Sequence, residues 1–260
     1  MNLVILCGGK GSRLGSLTKK VPKPLLKIYK KPFIEYIINF YQKYNFNKIY
    51  LIGYYKSNSF KKLYNNKFFN YIQCEFIKEK KPLDTGGALN VIKGKFRGDF
   101  VLVNGDSYLN YNFLKFYKFH KYNNKHTMIL TKNTNYKSNT KLSNLNISDR
   151  LVSYNKKSNY MNAGIYFFKQ KIFNSIKKNQ KISLENQILP ELISKNQIKG
   201  IKFDNFFIDI GVKKNLENSK KKLKNIIEIP AIFLDRDGVL NKDTGYPHKF
   251  SKLKWIQSTI

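Results

Sequence analysis

Apolar and polar positions run along this chain in two rhythms, one of strands and one of helices. Asn2–Cys7 is a short apolar run that stops at Gly8-Gly9, the pattern of a buried strand. Phe33–Tyr44 carries Phe33, Tyr36, Ile37, Phe40 and Tyr41 at helical spacing directly after Pro32, which predicts a helix entered through a proline. Lys48–Gly53, Tyr71–Lys78, Phe100–Asn104 and Thr127–Thr131 read as further strands. Ser57–Tyr64, Gly86–Ile92 and Asn112–Tyr122 read as the helices between them. Such alternation predicts a parallel sheet covered by helices on both faces.

The second half breaks this rhythm. Leu142–Ile147 and Leu151–Tyr154, joined around Ser148-Asp149, predict an antiparallel hairpin, and Met161–Phe168 is a strongly apolar strand. Leu184–Ser194 reads as a helix with Ser183 as its N-cap. Phe206–Ile210 is a last short strand before a lysine-rich helix, Lys213–Ile226. The charged stretch Lys220–Glu228 also reads as a linker, because Pro230 restarts an apolar strand at Ala231–Leu234. The expected division is therefore 1–226 and 227–260, the second part contributing a short C-terminal β segment.

Composition narrows the class. A chain of 260 residues can bury a sizeable core without disulfides or metals as staples. Hydrophobic residues at 42% and aromatics at 15% exclude a disordered chain. The two cysteines, Cys7 and Cys74, cannot build a disulfide framework, which points to a reduced, cytoplasmic protein. No apolar run approaches the ~18 residues of a membrane span, and the start MNLVILCGGKG lacks the basic n-region of a signal peptide.

Charge then raises the question of a polyanion partner. Lys+Arg number 49 against 16 Asp+Glu, a net charge of +33. Arginine, the residue suited to bidentate phosphate and guanine contacts, occurs only at Arg13, Arg97, Arg150 and Arg236. The lysines are spread through the chain among Asn, Ile, Tyr and Phe, which reads as compositional background rather than a patch. Nucleic acid is not the expected partner, and a basic nucleic-acid binder is the rival of another class.

The chemistry sits in Leu6-Cys7-Gly8-Gly9-Lys10-Gly11-Ser12-Arg13-Leu14, which leaves the first strand and runs into Pro22-Lys23-Pro24. Glycines directly after a buried strand let backbone N–H groups approach a polyphosphate. The dinucleotide pattern fails because Leu14 stands where its third glycine belongs, and the Walker pattern is absent. What remains, G-G-x-G-[ST]-R-L followed by P-K-P, resembles the sugar-phosphate nucleotidyltransferases, with their Rossmann-like α/β fold: a mixed, mainly parallel sheet flanked by helices. In that chemistry a sugar 1-phosphate attacks the α-phosphate of a nucleoside triphosphate and pyrophosphate leaves, so fixed cations and N–H donors are the expected devices. The resemblance places Leu6, Gly8, Gly9, Gly11 and Ser12 on the nucleotide, Arg13 on the leaving pyrophosphate and Lys23 near the α-phosphate.

It implies further sites. Asp106, just beyond the apolar strand Phe100–Asn104, and Asp209, at the end of Phe206–Ile210, match the two aspartates that hold Mg²⁺; Asp106 is also counted as catalytic. Leu83-Asp84-Thr85-Gly86-Gly87 matches the second glycine loop, placing Thr85, Gly86 and Gly87 against the nucleoside. Asn162-Ala163-Gly164 matches the strand lining the sugar pocket, and Glu185 the glutamate that binds sugar hydroxyls. Where the family has Phe-x-Glu-Lys this chain reads Tyr154-Asn155-Lys156-Lys157, leaving Lys157, or Lys156 by a shift, for the sugar phosphate. The motifs TGGAL, NGDSYL, MNAGIY, SLENQILP and FFIDIGV are closest to the guanylyltransferase branch acting on D-glycero-α-D-manno-heptose 1-phosphate, an activity that serves surface polysaccharide. Mannose 1-phosphate guanylyltransferases and glucose 1-phosphate thymidylyl- or uridylyltransferases are near relatives, and the choice of base stays open.

Downstream, Ala231-Ile232-Phe233-Leu234-Asp235-Arg236-Asp237-Gly238-Val239 resembles the first motif of haloacid-dehalogenase-type phosphatases. Lys242–His248 resembles the heptose 1,7-bisphosphate branch. There Asp235 would be the nucleophile and Asp237 the general acid/base. Residues 227–260 leave no room for the later motifs of that family, so this part is expected to be a truncated, vestigial stub without catalysis.

Overall fold

The computed structural model describes residues 1–132, 142–227, 233–245 and 249–256. They fall into two compact units, Met1–Lys220 and Lys221–Ile260. The first half runs β1 (Asn2–Leu6), α1 (Ser16–Lys20), β2 (Lys27–Ile28), β3 (Lys31–Pro32), α2 (Phe33–Tyr41), β4 (Lys48–Gly53) and α3 (Ser57–Tyr64). It continues through β5 (Phe68–Phe69), β6 (Ile72–Lys78), α4 (Asp84–Gly87), β7 (Phe100–Asn104), β8 (Ser107–Leu109), α5 (Phe113–Lys121) and β9 (His126–Lys132). Beyond lie β10 (Ser143–Ser148), β11 (Leu151–Tyr154), β12 (Tyr160–Phe168), α6 (Leu189–Ser194), β13 (Ile198–Lys202), β14 (Phe207–Asp209) and α7 (Lys213–Ile227).

Ten strands form one sheet in the order β10-β11-β13-β9-β12-β7-β1-β4-β6-β5. β1 lies parallel to both β4 and β7, β4 to β6, and β9 to β13. β12 runs antiparallel between β7 and β9, so β6, β4, β1, β7, β9 and β13 all point one way. The sheet is thus mixed, with a single reversed strand at its centre. Helix-covered strands must be apolar on both faces. Leu3–Ile5, Ile49–Ile52 and Val101–Val103 meet that demand and are all buried. β6, nearer the edge, buries only Ile72, Cys74 and Phe76, the alternate positions.

Helix ends follow their local chemistry. Pro32 precedes α2 with φ −55°, and the Asn112 side chain caps α5 by accepting from Lys115 N at 2.9 Å. The hairpin of β10 and β11 forms as expected, with Ser148 opposite Leu151. β13 gave no strand signal because Gly200 interrupts it. A side chain there would strike Ile147 and Val152, so the glycine is what lets the hairpin side chains close over the strand.

Where described, the charged stretch from Lys220 continues α7 to Ile227, and the division between the two units falls within it; Leu216 and Leu223 at helical spacing are buried while the lysines around them are exposed. Of the expected C-terminal strand Ala231–Leu234, Ala231 and Ile232 lie outside the described residues; Phe233, 95% exposed, and Leu234 belong to no strand. Among the described residues of that unit, single bridges pair Asp237 with Asn241 and Asn241 with Trp255.

Candidate nucleotide- and sugar-binding site

The site assembles where β1 and β7 end. After Leu6 the chain stays pinned to the sheet through Cys7 N, which donates to Ile52 O at 2.7 Å. It then opens into the glycine loop. Gly11 sits at φ 66°, and Thr18 Oγ1 donates to its carbonyl at 2.9 Å while Tyr55 OH holds Thr18 O at 2.9 Å. The turn Ser12–Leu14 buries Leu14 and leaves Arg13 exposed beside the cavity. Lys23 is only 8% exposed, because the turn Lys23–Leu25 between Pro22 and Leu26 is packed into the body of the fold.

Two carboxylates meet that lysine. β8 and β14 pair antiparallel with Ser107 opposite Asp209, and Ile210 N donates to Asp106 O at 3.0 Å, which brings Asp106 and Asp209 to one spot. Lys23 Nζ bonds Asp106 Oδ2, and Ser107 Oγ donates to its other oxygen at 3.3 Å. Burial acts to raise the Asp106 carboxyl, but the Lys23 ammonium and these hydrogen bonds outweigh it and hold it below the usual range. Asp209 goes the other way: burial, with the Asp106 charge added, pushes it up to about 6. A pair of acids split in this way, in a cleft, is the electrostatic mark of a functional site.

The opposite wall carries neutral donors and acceptors together with one carboxylate. Thr85 Oγ1 donates to Glu185 Oε2 at 2.5 Å and accepts from Leu184 N at 2.9 Å. Ser183 caps the following segment by accepting from Asn186 N at 3.1 Å, as expected. That segment, Leu184–Ile188, is wound wider than an α-helix, with Ile188 N donating back five residues to Ser183 O at 3.3 Å. In β12 the register against β9 shifts between Asn162 and Tyr166, where Gly164 adopts φ 72°. Asn162 Oδ1 accepts from Gly164 N at 3.0 Å and its Nδ2 donates to Tyr166 OH at 2.5 Å, so the side chain is locked.

Between the walls lies a cavity of about 470 Å³. On the loop side Leu6, Gly8, Gly9, Gly11, Ser12, Arg13 and Lys23 line it; across it stand Asp106, Asp209, Thr85, Asn162, Gly164 and Glu185. Gly86 and Gly87 do not line it. They lie behind, where both N–H groups donate to Ile182 O and a side chain on Gly87 would come within 2.6 Å of Gln180 O, so these glycines serve close packing. Lys157 and Lys156 are also outside the lining, exposed in the turn after β11.

Residues 2–226 match the nucleotidyl transferase family. The chain belongs to that family. Among relatives of this nucleotidyltransferase, the D-glycero-alpha-D-manno-heptose 1-phosphate guanylyltransferase of Campylobacter jejuni is 32% identical over 216 residues, covering 82% of this chain and 95% of that one. The enzyme of the same name from Aneurinibacillus thermoaerophilus is 27% identical over 236 residues, 87% of this chain and all of that one. HddC from Yersinia pseudotuberculosis, crystallised with GMP-PN, superposes with a TM-score of 0.71 at 25% identity, over 85% of this chain and 99% of that structure.

The nucleotidyltransferase cavity also holds residues that motif reading missed. Glu79, 3% exposed, stands against Gly8. Leu83 N donates to its Oε1 at 3.4 Å, and among the described residues its Oε2 has no hydrogen-bond partner. Burial raises its carboxyl above the usual range. Its position one residue beyond β6 was the available signal, the same strand-end rule that singled out Asp106. Asn104, the last residue of β7, lines the cavity as well, and among the described residues its Oδ1 has no hydrogen-bond partner. In the second unit, Arg236 grips Asp237 through two bonds of 3.0 and 2.8 Å, and Asp235 Oδ1 accepts from Arg236 N at 2.7 Å.

Proposed function

We propose that this nucleotidyltransferase joins GTP to D-glycero-α-D-manno-heptose 1-phosphate, giving GDP-heptose and pyrophosphate. The observation that carries the reading is the single two-walled cavity, with Arg13, Lys23 and the glycine loop on one side and Glu185, Asn162 and Gly164 on the other. The names of its relatives supply the sugar and the base. Lys23 and Arg13, with the loop N–H groups, would hold the triphosphate and stabilise the charge that gathers on its oxygens. An oxygen of the sugar phosphate then attacks the α-phosphorus, the bond to the β-phosphate breaks, and pyrophosphate leaves into the loop.

Asp106 and Asp209 fit Mg²⁺. They offer hard oxygen donors, and a cation, the Lys23 ammonium, already stands on one of them. Among the described residues no group of three or more acidic, His or Cys side chains forms a metal site, which suits an ion that keeps substrate oxygens and waters. When bound there, Mg²⁺ would neutralise phosphate charge. Glu79 supports guanine over the other bases: a buried carboxylate needs N–H donors, and the guanine edge presents two adjacent ones at N1 and N2.

No helix among the described residues is long and apolar enough to cross a membrane, and both cysteines are free and buried. We read the protein as cytoplasmic on that basis. We read Asp235 and Asp237 as a phosphatase-like motif without turnover, because Arg236 occupies the carboxylate that would move protons; release of phosphate from heptose 1,7-bisphosphate by this chain would refute that. The main reading is tested by pyrophosphate release over a grid of four nucleoside triphosphates and several sugar 1-phosphates. Turnover only with GTP and the heptose is the expected result, and faster turnover with another pair replaces the substrate assignment.

A further inference from the structure

One of the cations that should hold phosphate is engaged by a carboxylate: Lys23 Nζ rests on Asp106. Lys23 is held by a rigid backbone: Leu25 N donates to Pro22 O at 2.9 Å and Leu26 N to Lys23 O at 3.1 Å. Its stem passes close beside Gly11, so the one flexible part, the ammonium end, lies between the phosphate loop and the carboxylate pair. Two carboxylates brought together by β8 and β14 repel each other unless a cation sits with them. Lys23 supplies one by direct contact with Asp106.

We propose that Lys23 is a latch, holding the Asp106–Asp209 pair in the ligand-free protein and passing to nucleotide phosphate when the pair takes up a divalent cation. The exchange leaves every charge matched before and after: carboxylates move from ammonium to the metal, and ammonium moves from carboxylate to phosphate. Its consequence is coupling. Metal and nucleotide each displace part of the latch, so each binds more tightly once the other has opened it, by the same factor in both directions. The inference rests on the proposed role of Lys23 toward phosphate only in its second half; the first half concerns metal binding by the protein alone.

The test measures Mn²⁺ binding to the nucleotide-free full chain by the loss of the free-ion electron paramagnetic resonance signal. Lys23→Met removes the competing charge, and Lys23→Gln keeps a neutral donor to Asp106 should the methionine variant fail to fold. Both should bind Mn²⁺ about tenfold more tightly than the wild type, in the usual range of coupling between two ligands. Equal or weaker binding in the folded variants overturns the latch, whatever the enzyme's substrates prove to be. The second half is read from GTP binding in excess EDTA. Asp106→Asn should tighten it about tenfold by releasing the ammonium, and Asp106→Asn with Lys23→Met should lose that gain. A gain that survives in the double variant overturns the transfer to phosphate, while failure of the wild type to bind GTP at all refutes the functional reading without touching the Mn²⁺ result.

Discussion

Replacing Glu79 by Gln tests base recognition at one atom. The side chain is 3% exposed, one oxygen is occupied only by a long bond from Leu83 N, and the other has no partner among the described residues. A guanine edge would fill that vacancy with two N–H donors, whereas uracil offers one N–H between two carbonyls that a carboxylate repels. Gln keeps the volume but presents an NH₂ where guanine also donates. The loss is therefore one charge-assisted hydrogen bond, about 1.5–3 kcal/mol, or roughly 10- to 150-fold in kcat/KM for GTP. The same change removes the repulsion of uracil, so kcat/KM for UTP should stay equal or rise. The assay is continuous pyrophosphate release with each triphosphate at fixed sugar 1-phosphate, reporting the GTP:UTP ratio of kcat/KM. A folded Glu79→Gln enzyme whose ratio stays within about twofold of the wild type would refute the argument, because Glu79 would then not face the base.

Three further outcomes follow from the geometry. Asp209→Ala should cut turnover by at least about a hundredfold while leaving the melting temperature equal or higher, since it removes a buried acid whose proton affinity is already raised by burial and Asp106; circular dichroism melts and pyrophosphate release check both halves. Gly164→Ala forces an L-residue to φ 72° and puts its Cβ 2.9 Å from Asn104 Nδ2. It should cost about 1–2 kcal/mol of stability and raise KM for the sugar 1-phosphate but not for the nucleotide. Acid should destabilise the fold through His126, which burial, and then Lys171, lower from 6.5 to about 4. The unfolded chain takes up that proton first, so stability is full above pH 6.5, falls as pH drops from there toward 4, and loses about 3 kcal/mol in all. Urea midpoints at pH 7 and 4.5 measure the loss, and His126→Gln should flatten it.

How much of this was legible in the sequence depended on whether a residue's role was local. β4, β7 and α3 have the bounds their apolar runs and turn residues announce, because strands covered on both faces and a helix with one apolar stripe leave periodic marks. Arg13, Lys23, Asp106 and Glu185 were singled out for another reason, that phosphate and sugar chemistry demands particular residue types at strand ends and helix starts, and the fold brings all four to one cavity. Gly86 and Gly87 show what the pattern leaves open. Two adjacent N–H groups free of side chains suit a ligand and a packed carbonyl equally well, and here both donate to Ile182 O, which arrives with Gln180 from nearly a hundred residues away. β13 stayed hidden because Gly200, required by Val152 and Ile147 above it, erased the local strand signal.

Glu79 shows where the boundary lies. Apart from its place one residue beyond the strand Ile72–Lys78, Glu79-Lys80-Lys81 reads like the solvated lysine-rich surface that dominates a chain of charge +33. It becomes chemically distinct only because Glu79 N donates to Gly53 O at 3.0 Å, continuing the sheet pairing one residue past β6 and turning the carboxylate in behind Gly8 while both lysines stay outside. The same rule separates the cations. Lys23 differs from the other lysines in being buried against a carboxylate, held there by the turn between Pro22 and Leu26. A buried charge keeps its interactions against salt, whereas the exposed lysines are screened beyond about 8–10 Å. Raising the salt concentration should therefore leave the Lys23–Asp106 contact far less affected than any long-range attraction of anionic substrates by the rest of the surface, so added salt should raise KM for the substrates more than it lowers kcat.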